Sequence, residues 1–336
     1  MSVSSARRRV ALIGAAALGL SVFGAACGGD DDRPSASTIT ATTAESTTVA
    51  TTTTTDPTTS TAVTTTSAAA TTTTAATTTA VPVATTLVNV YWGWTVLNPP
   101  TGSPERIGAG AREVAADTPI GNSLEAMFDG VNSIEQTIGM TTSIPPGTRV
   151  LGIAVDDTTA TVDLSAEFAA SSGSLDETMR LAQVVFSVTQ FDSIDRVKFH
   201  IDGLPQDPIL SHGFVVGDGL TRDDFATVRP LILIEQPYPG AEVTNPLVIR
   251  GESNTFEGTV RYAITTGSGD GVLLTEGFTT ATAGMGIWGS FEVTVDLTDF
   301  ASDYQAGPGS VVMWEDSPRD GSRLNVVEVP IVLPSL

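Results

Sequence analysis

The segment SLDETMRLAQVVFSVTQF at residues 174–191 has the clearest periodicity in the chain. Ser174 and Glu177 have the spacing of a capping box, in which each side chain bonds a backbone N–H of the other residue. Steps of four, three, four and three residues place a set of side chains on one helical face. These side chains are Leu175, Met179, Ala182, Phe186 and Thr189. The segment therefore predicts an amphipathic helix that begins at Ser174.

Strand-like segments and a second helix surround this one. The order along the chain is strand, helix, strand, strand, helix, strand. This order predicts an α+β domain in which two helices cover one face of a mixed sheet. The segments are LVNVYWGW at 87–94, the helical TPIGNSLEAMFDG at 118–130, TRVLGIAV at 148–155, TATVDL at 159–164 and DRVKFHI at 195–201.

The rest of the chain has an all-β pattern. Between residues 231 and 333, seven short strand-like segments alternate with Gly-, Pro- or Asp-containing turns. This pattern predicts a sandwich of the immunoglobulin type. In the connection before it, TRDDF at 221–225 predicts one helical turn with Thr221 as its cap and Asp224 near its start.

An export signal comes before the predicted domains. Three arginines at 7–9 and an apolar segment at 10–26 are typical of a secretory signal peptide. Cys27 follows at once and is the only cysteine; the small residues before it resemble the lipobox of bacterial lipoproteins. We expect residues 1–26 to be a lipoprotein signal peptide and Cys27 to carry the lipid. Ordinary signal-peptidase cleavage and an uncleaved anchor are the alternatives.

A threonine-rich linker separates Cys27 from the predicted domains. Residues 35–86 include 26 threonines and have no periodic apolar face. Such a segment cannot bury enough surface to offset the entropy of ordering it. We therefore expect a disordered stalk at 27–86, the α+β domain at 87–228 and the immunoglobulin-like sandwich at 229–336.

The charge of the chain excludes one class of function. There are 38 acidic and 16 basic residues, and the formal net charge is −22. A surface of this sign repels nucleic acid, so we predict no nucleic-acid partner.

Few residues are suited to catalysis or to metal binding. His200 and His212 are the only histidines, and no H-x-x-x-H or H-E-x-x-H spacing occurs. No G-x-S-x-G motif is present for a serine nucleophile. We therefore predict no catalytic residue, no metal site and no cofactor. The alternative is a wall-active hydrolase, or a metal-dependent enzyme, that uses acidic loops with His200 or His212.

The acidic and glycine-rich motifs have structural explanations. Asp156 and Asp157 fit a hairpin turn. Asp218, Asp223 and Asp224 lie in one loop, where capping and solvation compete with Ca²⁺ binding as explanations. GMGIWG at 284–289 matches G-x-G-x-x-G, but a strand-like segment follows it where a dinucleotide site needs a helix. We interpret it as a turn.

Two of the four tryptophans lie close together in YWGW at 91–94. On a strand, Trp92 and Trp94 share one face and Tyr91 points to the other. Core packing is one interpretation of this pair. The other is an aromatic surface that binds sugar rings or a protein, which makes Trp92 and Trp94 the candidate binding residues.

With these segments in place, the first domain resembles the GerMN domain of sporulation and germination proteins and of bacterial lipoproteins. The matching segments are VNVYW, SLEAMFDGV, SIPPGTRVLGIAV, TATVDLSAEF, ETMRLAQVVFSVTQF and VKFHIDGLP. Residues 231–333 resemble the Gmad2 domain through PYPGAEVTNPLVIRGESNTFEGTVRY. The resemblance implies two modules without catalytic residues, acting in protein assembly at the cell envelope.

These observations combine into one functional hypothesis. We expect a non-enzymatic lipoprotein on the outer face of the cytoplasmic membrane, extending into the cell wall. Its partners are expected to be the membrane, through the lipid, and envelope proteins or peptidoglycan, with self-assembly as a further possibility. A carbohydrate-binding module that uses Tyr91–Trp94 is the alternative from a different class.

Overall fold

The first element is a two-stranded hairpin. In the computed structural model, which describes residues 83–95, 105–267, 271–300 and 304–336, β1 (Thr85–Thr95) pairs antiparallel with β2 (Glu105–Ala115). The predicted strand at 87–94 is therefore confirmed, whereas β2 was not predicted. The hairpin forms a sheet of its own and does not join the other strands of the first domain.

Two glycines of β2 make room for the tryptophans of β1. A Cβ at Gly108 would lie 2.6 Å from Cε3 of Trp94. A Cβ at Gly110 would lie 2.7 Å from Nε1 of Trp92 and would overlap the Glu135 carboxylate. The rings pack directly on the backbone of β2, so these positions accept only glycine without rearrangement.

Three helices belong to the first domain. They are α1 (Pro119–Phe128), α2 (Ser133–Thr137) and α3 (Ser174–Val188). The predictions of α1 and α3 are confirmed, and α2 is an additional short helix. The capping box predicted for α3 does not form: Gly173 is the N-cap, and no side chain caps it. A capping box forms instead at α2, between Asn132 and Glu135.

The main sheet of the first domain has four strands. β3 (Val150–Asp156), β4 (Thr159–Leu164), β5 (Arg196–Ile201) and β6 (Leu204–Pro205) lie in that order. β4 and β5 run parallel, with α3 between them along the chain, and the other pairs are antiparallel. The mixed sheet of the predicted α+β fold is confirmed. A turn between β3 and β4 is present as predicted, but its residues are Asp157 and Thr158, and Asp156 ends β3.

Helix α3 lies at the centre of this domain. From Met179 to Val188 every side chain is buried, including the polar residues. Phe186 contacts Tyr91 of β1 with ring centroids 5.5 Å apart. Leu175, which the periodicity places on the buried face, is exposed in the first turn, so that part of the prediction is wrong.

The second domain is a two-sheet sandwich, as predicted. One sheet has the order β11–β10–β13–β14–β8, and the other has the order β12–β9–β7. Its strands are β7 (Ile232–Gln236), β8 (Ala241–Glu242), β9 (Leu247–Ser253), β10 (Thr259–Thr266), β11 (Val272–Thr280), β12 (Gly289–Val295), β13 (Gly307–Asp316) and β14 (Arg323–Leu333).

Strand β7 contributes to both cores. Ile232 and Ile234 belong to the core of the sandwich, whereas Leu233 packs into the core of the first domain. Close by, the Ile107 N–H of β2 donates to the Val228 carbonyl at 2.8 Å. The described residues fall into a single compact unit. The two domains are therefore packed against each other, and β7 contributes side chains to both cores.

Candidate functional site

A buried ion cluster joins the two domains. Arg222 lies in the predicted helical turn, which the structure places at Arg222–Phe225 as a 3-10 helix. Its Nη1 is 3.0 Å from Glu235 of β7 and 2.7 Å from Glu252 of β9. Arg229 lies 2.6 Å from the same Glu252 and 2.6 Å from Asp223. Two guanidinium groups thus share one carboxylate of the sandwich.

Aromatic rings of both domains enclose this cluster. The Arg222 guanidinium lies 4.8 Å from the ring centre of Phe186 and donates to the Tyr91 hydroxyl at 3.1 Å. The Arg229 guanidinium lies 4.4 Å from the ring centre of Trp288. Cation–π contacts of this kind are strongest where water is excluded. The cluster therefore combines charge pairing with packing.

Protonation states in the cluster are fixed by their neighbours. Burial raises the pKa of Tyr91 far above its ordinary value, and Glu235 adds to this effect although Arg222 opposes it. Tyr91 therefore stays a phenol and donates to Glu235. Burial alone would lower the pKa of Arg222, but Tyr91, Glu235 and Glu252 outweigh it and raise that pKa.

A polar groove lies beside the cluster. It has a volume of about 530 Å³. Arg222 and Arg229 line it, together with Asn89 and Gln190 of the first domain and Gln236 of the sandwich. The two arginines are paired with Glu235, Glu252 and Asp223. Asp192 and Asp195 also line the groove and are exposed, so its accessible polar chemistry comes from carboxylate and amide groups.

An apolar groove lies where β1 meets the sandwich. It has a volume of about 320 Å³ and is lined by Trp94, Thr95, Ile138, Val326, Val327, Glu328 and Pro330. Trp94 is partly exposed and packs against both hydrophobic cores. Its Nε1 donates to the Ile138 carbonyl at 3.1 Å. The indole N–H is thereby satisfied, and the groove is left mostly apolar.

Trp92, the other candidate binding residue, lies in the core. Its side chain is 0% exposed, and its Nε1 has no hydrogen-bond partner among the described residues. The Arg112 guanidinium lies 5.4 Å from its ring centre and bonds the buried Glu135 at 2.7 Å. Of the predicted pair, only Trp94 has an accessible ring, because β2 and Glu135 cover Trp92.

His212 is held by the first turn of α3. Glu177 accepts from the His212 N–H at 3.0 Å and from its Nδ1 at 2.8 Å, and it also accepts from the Ser211 hydroxyl. In a catalytic triad the serine bonds the other ring nitrogen, Nε2. Here Ser211 lies 3.4 Å from Nδ1, the nitrogen that Glu177 already occupies. The arrangement fixes a loop and does not activate a nucleophile.

The remaining candidate residues are dispersed or already bonded. His200 lies on β5, Asp223 bonds Arg229, and Asp224 bonds the Thr221 N–H at 2.7 Å. Within the described residues, no three acidic or histidine side chains form a group that could hold a metal. GMGIWG at 284–289 leads into strand β12, as the turn interpretation predicts. Cys27, the signal peptide and most of the stalk lie outside the described residues.

Family models match both domains. Residues 89–207 match the Germane family, described as sporulation and spore germination. Residues 231–322 match Gmad2, described as an immunoglobulin-like domain of bacterial spore germination. The chain joins a GerMN domain to a Gmad2 domain. A comparison with curated protein sequences found no match.

Solved structures of GerMN domains are similar to this chain. Tandem GerMN domains of the sporulation protein GerM from Bacillus subtilis match at 17% identity and a TM-score of 0.35, over 63% of this chain and 62% of that one. The first GerMN domain of the same protein matches at 22% identity and a TM-score of 0.30, over 40% of this chain and 99% of that one. This chain thus spans less than two thirds of the tandem-domain protein.

The GerMN–Gmad2 junction contains the residues that the sequence patterns did not indicate. Arg222, Arg229, Glu235 and Glu252 are separated along the chain, and only folding brings them together. A weak signal was present, because Glu235 follows four apolar residues in the strand segment LILIEQ.

None of the described helices has the length and hydrophobicity that a membrane-spanning helix requires.

Replacing Arg222 with methionine is expected to destabilise the head strongly. Among the described residues, Glu235 would lose its only arginine and Glu252 one of two. Removing one partner of a fully buried pair costs about 3–5 kcal/mol; because both carboxylates are 21% exposed, we expect about 2 kcal/mol here. Calorimetry should show a lower Tm and separate unfolding of the two domains. The matched control is Arg250→Met, since Arg250 pairs with Glu292 at an exposed site and such pairs are worth about 0–1 kcal/mol. Equal effects of the two variants would contradict the role of the cluster.

Glu177 should make the stability of the GerMN domain sensitive to acid. Burial would raise its pKa, but hydrogen bonds from Ser211, His212 and Ser172 lower it from 4.5 to about 2. Because the folded-state pKa is depressed, this stabilisation is complete above about pH 4.5 and disappears as the pH falls towards 2.

Urea unfolding at pH 7 and pH 3 checks this expectation. Glu177→Gln should lower the free energy of unfolding at pH 7 and should lose less stability than the unchanged protein on going to pH 3. Glu276→Gln, at an exposed position of β11, is the control and should keep the full pH dependence. An unchanged pH dependence in Glu177→Gln would contradict the assignment.

Proposed function

We propose that this protein is a non-enzymatic, lipid-anchored envelope protein whose GerMN–Gmad2 head binds peptidoglycan or envelope proteins. The signal peptide pattern and Cys27 support the anchor. A stalk rich in threonine would carry the head away from the membrane, and the lipid would confine it to a surface, which raises its effective concentration there.

The observation that carries the binding proposal is the groove at Trp94. It lies between two domains, where ligand sites are common. Its partly exposed indole, the apolar walls from Val326 and Pro330, and the single carboxylate of Glu328 suit the apolar face of a sugar ring or an apolar side chain. The ion cluster supports the same proposal, because it fixes both walls of the groove before a ligand arrives.

The absence of a catalytic arrangement around His212 also favours binding. Glu177 holds Nδ1, and the Ser211 hydroxyl donates to Glu177, so the serine proton is directed to a weakly basic carboxylate and not to the imidazole. A wall-active hydrolase remains the second candidate. Its test is mass spectrometry of peptidoglycan fragments incubated with the protein, with and without EDTA. Turnover that the chelator stops would replace the binding proposal.

Binding of peptidoglycan fragments should depend on Trp94. In a fluorescence titration of the full chain with a disaccharide-tetrapeptide, we expect quenching that disappears in Trp94→Phe. Trp94→Ala should weaken the affinity about 30-fold, since an aromatic hot spot contributes about 2 kcal/mol or more. Trp314→Phe is the matched control, because it also removes one tryptophan but leaves the groove intact.

Failure of the fragments to bind would reject the peptidoglycan ligand. A photoreactive residue at Val326 would then test the protein ligand: capture of an envelope protein, lost in Trp94→Ala, supports binding in the groove. No capture at this position would reject the groove as the binding site.

The anchor is tested separately at Cys27. With a labelled fatty acid supplied to the cells, the unchanged chain should incorporate label and stay with the membrane fraction, and Cys27→Ala should do neither. A free, maleimide-reactive thiol at Cys27 in the unchanged full-length chain would overturn this part of the proposal.

A further inference from the structure

Strand β3 is an open edge of the GerMN sheet. Among the residues that the structure describes, it pairs only with β4, so alternate backbone N–H and C=O groups point away from the sheet. Among the described residues, the one additional bond to this strand joins the Val150 N–H to the Glu125 carboxylate at 3.1 Å. Seven residues at about 3.3 Å each give an edge about 23 Å long.

The other edge of this sheet and the edges of the sandwich are protected in ways that β3 is not. β6 and β8 are two residues long, and β6 contains Pro205. β11 carries the exposed Glu276 and β12 carries Glu292, whereas β7 packs against the GerMN domain. Short strands, proline and charges are the usual means of preventing edge-to-edge pairing. From Val150 to Val155, β3 has no charged residue.

The side chains of β3 offer an apolar surface as well as free backbone groups. Leu151 is 49% exposed and Val155 is 50% exposed, and Ile153 between them is partly buried. Charged groups lie only near the two ends: the exposed Arg149 and the Glu125 carboxylate that binds the Val150 N–H at one end, and Asp156 and the turn residue Asp157 at the other. Within the described part of the chain, the Arg149 guanidinium makes no hydrogen bond or ion pair.

We propose that β3 pairs antiparallel with β3 of a second copy of this chain, about a two-fold axis at Ile153. This register places Leu151 opposite Val155 and Arg149 opposite Asp157, each twice. Opposite charges and apolar pairs directly across an antiparallel ladder are stabilising. The strand is therefore complementary to itself in hydrophobicity and in the charges of Arg149 and Asp157, as a two-fold interface requires.

The pairing is expected to be weak in dilute solution. One added strand buries much less than the roughly 1,000 Å² of a stable interface. A bulge between Val150 and Gly152 also makes one end of the strand irregular. The inference goes beyond the proposed function and does not depend on it, because it uses neither the Trp94 groove nor the anchor.

Disulfide trapping in the full chain tests the proposal. With Ile153→Cys, mild oxidation with copper-phenanthroline should yield a species of twice the monomer mass, since residues opposite each other in a ladder have Cβ atoms about 4.5–5.5 Å apart. The unchanged chain, which contains only Cys27, gives the background. Val272→Cys, exposed on the β11 edge, is the matched control and should give at least fivefold less.

The register is tested with two further variants. Leu151→Cys and Val155→Cys mixed together should form more crosslinked dimer than either alone. Both side chains are half-exposed, so neither substitution threatens folding even where Ile153→Cys does. If Leu151→Cys or Val155→Cys alone crosslinks as well as the mixture, the register is wrong.

Charge substitutions test the complementarity. In the Ile153→Cys background, Arg149→Glu places a carboxylate opposite Asp157 and should reduce the dimer yield several-fold. Adding Asp157→Asn should restore part of it, because asparagine keeps the left-handed turn conformation at φ 51° and removes the repulsion. Equal yields from β3 and β11 cysteines, no dimer from any β3 variant, or crosslinks to a different protein would overturn the proposal.

Discussion

The position of one domain against the other depends on the ion cluster around Arg222 and Arg229. Buried charges are costly unless each one is paired and hydrogen-bonded, and the loss of any one partner leaves an uncompensated charge. Arg222 meets this condition only when Glu235 and Glu252 of the Gmad2 domain and Tyr91 of the GerMN domain lie around it. A rotation of one domain would break several of these contacts together. The cluster therefore favours a single arrangement, to a degree that apolar contacts alone do not.

Strand β7 supports this arrangement through the simple alternation of a strand. Its odd and even side chains face opposite sides, and here the two sides belong to different domains: Leu233 and Glu235 face the GerMN domain, whereas Ile232 and Ile234 fill the sandwich. A linker normally separates adjacent modules and lets them move. In this chain the first strand of the second module is already part of the interface. The Trp94 groove is a consequence, because its two walls come from β1 and β14 and are held at a fixed separation.

Local patterns predicted most of the fold but little of the candidate site. Helix α3 and seven of the eight strands of the sandwich were predictable because their periodicity is contained in the residues themselves. Strand β2 was missed because it has glycines at positions 108 and 110, where side chains would have shown an alternation. Glycine is required there because Trp94 and Trp92 of β1 pack on the backbone of β2. Glu177 was expected to cap its own helix, but residues 34 and 35 positions later bind it. The Arg222 cluster was not predicted for the same reason, because its members meet only through tertiary structure.

The net charge of the chain affects its self-association. A formal charge of −22 opposes self-association, but at physiological ionic strength the repulsion between exposed charges is screened beyond about 8 Å. The charges close to an interface then decide the outcome. Glu276 on β11 and Glu292 on β12 place carboxylates on these edges, where they would repel a second acidic copy. β3 itself has no carboxylate before Asp156 and has Arg149 at its other end. Charge therefore favours the β3 edge, whose end charges are of opposite sign, over the β11 and β12 edges as the place where a second copy pairs.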